Sequence, residues 1–259
     1  MRNRIRLALA LLTACLLATA TSLSWAYPPA PAPVPAPDAK GDASGDTKSD
    51  PNIVYLSPDH DLWIDKKQHE VVMKGKIAVR EGNLEMFACP EGTKEHESIV
   101  AVATKARPVH AALLALGAKV GHPSHYDSKT QKFTPASGSE IEVFVRWTDD
   151  KGKHEARGQD WVRNIKTQKP LEYPWVFGGS ILEVEDNGEK YYQADYGDFI
   201  CVSNFPTAMM DLPIDSPKAW ADHLFEPFTD RIPPRGTAVE LVLKPKLDKP
   251  KTNPGETPK

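Results

Sequence analysis

The sequence predicts an α+β domain: mainly antiparallel strands and hairpins around one central helix at about residues 108–116. Three observations carry this reading. Apolar side chains alternate at Val71, Met73, Ile77 and Val79, and again at Ile141, Val143, Val145 and Trp147, which is the period of a half-buried strand. Asp186-Asn187-Gly188 separates Ile181 to Glu185 from Glu189 to Ala194, and Asn-Gly tolerates the positive φ angles of a tight hairpin. Pro108 and Gly117 bracket an Ala/Leu-rich run, with proline at a helix start and glycine past its end. Hairpins in succession around one helix are an α+β pattern and not a βαβ series.

Taken in order, the chain opens on a targeting segment. Arg2, Arg4 and Arg6 precede an apolar stretch that runs from Ile5 to about Ser24, the charged and hydrophobic regions of a secretory signal. Ser24-Trp25-Ala26 offers small residues for cleavage before Tyr27. Leu12-Thr13-Ala14-Cys15 also fits a lipoprotein box, which would leave Cys15 lipidated, but apolar sequence continues past Cys15 and favours simple cleavage. Residues 1–26 are thus read as a signal peptide and the protein as exported, periplasmic or secreted into the cell envelope. Membrane contact is expected only through a lipidated Cys15 or an uncleaved signal. Residues 27–50 read as a disordered Pro/Ala-rich spacer, because their prolines favour polyproline II and their Gly, Ser and Asp cannot build a core. One globular domain follows at 51–245, and 246–259 reads as a disordered Lys/Pro-rich tail.

Within the domain, residues 70–80 read as a strand with a bulge at Gly75, and Glu81-Gly82-Asn83 turns the chain. The densest stretch runs from Leu84 to Ala118. It holds a strand in LEMFACP, a polar loop, a strand at Ser98 to Val102 and the helix, whose Val109, Ala112, Leu113 and Leu116 form one stripe. His110 lies at the stripe's edge, and the Ala/Leu composition predicts cover on more than one side. Tyr126 to Gly138 reads as polar and irregular. Asp149-Asp150-Lys151-Gly152 closes a hairpin, Phe199 to Val202 is a short strand, and Phe205 to Pro234 wraps the core with a turn of helix near 218–224. Val239, Leu241 and Leu243 mark the last strand.

LEMFACPEGTKEHESIV, RPVHAALLALGAKVGHP and GDFICVSNFPTAMMDLP together resemble the YdjY family of extracytoplasmic bacterial domains, its planctomycete-type members most. The resemblance covers roughly residues 51–245. It implies a single extracytoplasmic domain and carries no activity, ligand or catalytic residue with it.

Composition narrows the partners. The full chain has a formal charge of −3, and losing the signal's three arginines makes it −6. A mildly acidic domain without a basic stripe, or aromatics interleaved with Lys and Arg, argues against nucleic acid.

Chemistry rests on few residues. Cys89 and Cys201 remain after signal removal, and in an oxidising compartment they are candidates for a disulfide, for buried thiols or for a metal or redox pair. Cys89, His96, His110 and Cys201 together have the composition of a tetrahedral zinc site, but no CxxC or HExxH brings two of them onto one turn. His122 and His125 in GHPSH, and Asp59-His60-Asp61, sit in turn-like sequence. Ser98 and Ser180 lack a GxSxG elbow. Trp161, with Arg163 beside it, and Trp175 could line a groove, although large aromatics on strands more often fill a core. No cofactor is identified, and no mechanistic motif points to an enzyme. The expected function is a non-catalytic envelope-associated binding or structural module, with an envelope protein or glycan as partner. The alternative is a metal-binding or redox domain built on Cys89, His96, His110 and Cys201.

Overall fold

The computed structural model describes residues 50–216 and 224–247. The expected signal and Cys15, nearly all of the spacer, most of the tail and most of the helical turn near 218–224 lie outside these residues. The described strands are β1 (Ile53–Tyr55), β2 (Leu62–Asp65), β3 (Glu70–Ile77), β4 (Met86–Pro90), β5 (Ser98–Val102), β6 (Val120–His122), β7 (His125–Asp127), β8 (Lys132–Thr134), β9 (Ser137–Gly138) and β10 (Glu140–Asp149). They continue with β11 (Gly152–Arg157), β12 (Val162–Asn164), β13 (Trp175–Phe177), β14 (Leu182–Val184), β15 (Lys190–Tyr192), β16 (Ile200–Cys201), β17 (Met210–Asp211), β18 (Phe225–Pro227) and β19 (Ala238–Pro245). Helix α1 (Ala106–Ala115) is the one α-helix among the described residues.

Eight strands close on themselves in the order β3-β19-β10-β13-β17-β16-β4-β5, because β5 pairs back onto β3. The fold is a closed eight-stranded β-barrel, and the α+β arrangement around a central helix expected from the sequence is incorrect. The reason lies in one shared edge. β3 gives residues 70–73 to β2 and residues 75–77 to β5, so the same strand edge serves two partners. Gly75 permits the second. A Cβ there would stand 2.4 Å from the Ala101 carbonyl oxygen, so the glycine marks a close backbone approach. It is not the expected bulge, since the pairings with β5 and β19 run through it without a shift.

Side-chain alternation fills the barrel. Ile141, Val143 and Val145 of β10 are buried while Glu140 and Glu142 are exposed, and the register sets Val143 beside Leu243 and Val145 beside Leu241. Leu243 and Leu241 in turn face Val71 and Met73, so three neighbouring strands contribute aligned apolar rows. β4 and β5 are buried at every position, as continuous apolar runs in a parallel pair are, and β16 and β17 form a second parallel pair.

The helix starts at Ala106, two residues before Pro108, and Asp195 Oδ1 accepts the Arg107 backbone N–H at 2.9 Å, which satisfies one orphan donor of the first turn. Val109, Ala112 and Leu113 are buried as the stripe predicts, whereas Ala111, Leu114 and Ala115 are exposed. The helix is therefore covered on one side, not several. It contacts β3 and the turn at Gln193–Tyr196, and the His110 ring meets Phe177 of β13 edge-on at 4.8 Å. β3 and β13 stand three steps apart around the barrel, so α1 lies across one end of it as a plug.

Between α1 and β10 the chain makes an excursion that the sequence presents as irregular. β6 pairs with β9 and β7 with β8, giving a narrow ribbon from Val120 to Gly138. Its strands are mostly exposed, so no apolar period announces them.

Candidate functional site

β3, β19, β10 and β11 lie side by side, and their register aligns Lys74, Glu240, Arg146 and Glu155 in one row across the sheet. The signs alternate along the row at the strand spacing of about 4.8 Å. Arg146 is the best fixed of the four. Its guanidinium clasps Glu70 through two hydrogen bonds of 2.7 and 3.0 Å, and its Nε donates to Glu155 at 2.6 Å. Lys244 Nζ stands 3.0 Å from the same Glu70, whose residue is 2% exposed. Burial works to raise the Glu70 pKa, but the bonds from Arg146 and Lys244 outweigh it and hold the carboxylate below its usual range.

One position along and on the other, core-side face of the sheet, Trp147 and His154 face each other across the β10–β11 pair and stack at 5.0 Å with 17° between the rings, and Trp147 also packs on the buried Trp161 ring at 5.5 Å. His154 Nε2 lies 2.7 Å from Asp149 Oδ1, a bond that fixes the imidazole and keeps the Asp149 pKa low. Thr148 and Lys153 form the next pair. These residues other than Glu70, Lys244, Asp149 and Trp161, with Gly75, Ala238 and Val239 between them, line an open groove of about 800 Å³. That size suits a small ligand or a few units of a polymer. Sequence reasoning missed the groove, although the signal was present. A two-residue turn at Asp150-Lys151 pairs Asp149 with Gly152 and so places Trp147 opposite His154.

The four residues singled out for a metal or redox site do not meet. His96 sits on the Glu95–Glu97 turn with its side chain 78% exposed, 3.9 Å from Glu97. His110 packs against Phe177 and Tyr192, with Nδ1 2.7 Å from the Tyr192 hydroxyl, which itself donates to the Gly179 carbonyl at 2.9 Å. Burial lowers the His110 pKa, offset in part by the Gly179 carbonyl. Cys89 and Cys201 are both buried free thiols. Cys201 pairs with Met86, so Cys89 lies three residues further along β4, about 10 Å away at the strand rise and on the other face. That exceeds the reach of a disulfide. Among the described residues, no three His, Cys, Asp or Glu side chains converge in a way that could hold a metal ion.

Burial raises both thiol pKa values. Ser98 and Thr93 oppose the shift at Cys89, while Asp211 and Asp198 add to it at Cys201. Thiolate is the reactive form, so neither cysteine should react with an aromatic disulfide reagent in the native state. Two thiols per domain should titrate after denaturation, and a count of zero would mean that they are oxidised.

The remaining sequence candidates are structural. His60 stacks on Tyr55 at 3.9 Å, and Asp61 pairs with Lys74 at 3.1 Å. Ser98 donates to the Lys94 carbonyl at 2.7 Å, and Ser180 donates to that of Thr207 at 2.5 Å. Trp161 and Trp175 are in the core, 1% and 0% exposed, and Arg163 pairs with Glu226 at 2.8 Å. His122 and His125 do share a place: with Pro123, Ser124, Thr134, Ile181 and Pro206 they line a hollow of about 380 Å³. Beneath it Ser124 Oγ donates to the fully buried Asp211 Oδ2 at 2.8 Å.

Barrel, end plug and groove together define a β-barrel domain with an open polar groove on its wall. The chain belongs to the YdjY domain family, whose sequence model matches residues 62–244, from the start of β2 into β19. No curated protein and no solved structure matches the chain. Among the described residues no helix is long and apolar enough to cross a membrane.

Proposed function

We propose that the protein is an exported, non-catalytic binding module of the cell envelope and that its ligand is a glycan seated in the groove at Trp147. The observation that carries this reading is the groove's lining, where a stacked ring pair on one face of the sheet and a closely spaced row of donors and acceptors of nearly balanced charge on the other border the same open space. Sugars present apolar C–H faces and many hydroxyls that both donate and accept, so they suit a space bordered by these rings and by Lys153, Thr148, Glu240 and Glu155. A nucleic acid or another polyanion would meet the two carboxylates, and a basic segment would meet the cations. Arg146, Glu155 and His154 are already held by protein partners, so little side-chain entropy is lost on binding.

Calorimetric titration of the exported chain with peptidoglycan fragments and other soluble envelope glycans should show saturable binding. Trp147→Ala and Lys153→Ala should each weaken it about tenfold or more, a loss of about 1.4 kcal/mol, with circular dichroism unchanged. Glycan binding indifferent to both substitutions would remove the groove from the account, and no binding to any glycan would remove the ligand class.

A further inference from the structure

Lys94 sits between β4 and β5, at the start of the Glu95–Glu97 turn, and Asp198 lies just before β16, the strand that pairs with β4. Their side chains meet beside that pairing. Lys94 Nζ stands 2.8 Å from Asp198 Oδ1 and 3.8 Å from Glu97 Oε1, so one amine faces two carboxylates. The three side chains are largely shielded from water, Lys94 at 29% exposed and Asp198 and Glu97 at 14% each. The amine also lies 4.2 Å over the ring of the buried Phe205. Gly197 clears its path, because a Cβ there would come within 2.6 Å of the Lys94 stem.

The geometry departs from that of a plain ion pair. Asp198 Oδ1 is buried and accepts no hydrogen bond, although Nζ is only 2.8 Å away. The amine thus rests against the carboxyl group off the line along which an N–H would donate. Oδ2, the other oxygen, accepts from Thr207 Oγ1, and the Asp198 backbone carbonyl accepts the Met209 N–H at 2.9 Å. The carboxyl group is therefore held still while a nucleophile and a second carboxylate stand beside it.

We propose that Lys94 and Asp198 condense to an isopeptide bond, with Glu97 carrying the protons, and that this bond is a covalent staple of the domain. The pair starts charged, since burial pulls the Lys94 pKa down but Asp198 and Glu97 outweigh it. Lys94 Nζ first passes one proton to Glu97, and its lone pair then attacks the Asp198 carboxyl carbon. Negative charge gathers on Oδ2, where the Thr207 hydroxyl already donates. Glu97 gives its proton to Oδ1, takes a second from the nitrogen and delivers that to the same oxygen. The bond from carbon to Oδ1 breaks and water leaves. One ammonium and one carboxylate thus become one amide and one water, with no oxidant, cofactor or outside reagent.

Free amines and carboxylates do not condense readily in water, but groups held in contact react at effective concentrations of about 10⁵ to 10⁸ M. A single turnover per molecule suffices, because the shielded amide has little water to reverse it. Such a staple also does what the cysteines cannot, as Cys89 and Cys201 lie beyond disulfide reach. It would clamp the seam where the parallel β4–β5 pair meets β16.

Peptide mapping of the exported chain by mass spectrometry tests the bond. Digestion should yield a branched peptide that joins the segments around Lys94 and Asp198 and is lighter than their sum by one water. Lys94→Arg keeps the cation and should lose the branch. Glu97→Gln should fold normally by circular dichroism and leave the two peptides largely unlinked, since positioned proton transfer contributes about a hundredfold or more. Separate, unmodified peptides from the native protein would overturn the proposal and leave Lys94 and Asp198 an ion pair. A water loss confined to the Asp198 peptide, as a cyclic imide, would overturn it as well. A branch formed equally in Glu97→Gln would overturn the part assigned to Glu97.

Discussion

Replacing Trp175 with alanine is expected to bring the domain to the edge of unfolding, at a cost on the order of 4 to 8 kcal/mol. The ring is 0% exposed and packs on Phe87 with 5.1 Å between centroids, so truncation removes its transfer energy and leaves a cavity, together about 3 to 5 kcal/mol. Its Nε1 also donates to the Cys201 carbonyl at 2.8 Å, and leaving that buried oxygen unpaired adds about 1 to 3 kcal/mol. The sum is a large share of the 5 to 15 kcal/mol that holds a typical domain together. Trp175→Phe separates the two contributions, because it keeps most of the ring and loses the donor. Urea unfolding of the two variants should place phenylalanine well above alanine. Equal and small losses would mean that β13 is not part of a closed wall.

Leu113→Ala should cost about 2 to 5 kcal/mol, and Leu114→Ala less than about 0.5 kcal/mol. The neighbours differ only in the face they occupy: Leu113 is 0% exposed in the apolar cluster, and Leu114 is 45% exposed. A helix sunk in the middle of the fold would punish both changes. One that plugs a barrel end punishes the first alone, and thermal unfolding of the pair distinguishes the two arrangements. His110→Gln, which keeps size and hydrogen-bonding capacity against Tyr192, should lie between them.

Much of the local structure was legible in the sequence. Ser98 to Val102 reads as a strand from its β-branched residues and is one, and the alternations near Val143 and Leu241 mark β10 and β19. What the sequence does not display is closure. It depends on Gly75 letting one edge of β3 serve two partners, and on β4–β5 and β16–β17 running parallel, and neither leaves a period to read. Short strands such as β13 and β17 carry too few residues to show alternation at all. The groove could be reached by extending the Asp149–Gly152 turn into a register. The Asp211–Ser124 contact could not, because it joins residues 87 apart whose types are common in loops.

The position of β19 has a consequence for how the protein is made. The last described strand is inserted between β3, near the start of the domain, and β10, in its middle, so both long pairings of the barrel wait for residues near 240. Until they arrive, β3 and β10 each present an unpaired apolar edge, the kind of surface that recruits other chains. Folding dominated by such distant pairings is slow and follows completion of the chain. A nascent or C-terminally clipped molecule is thus a sticky open sheet, and chain integrity through Pro245 separates a usable barrel from an aggregate.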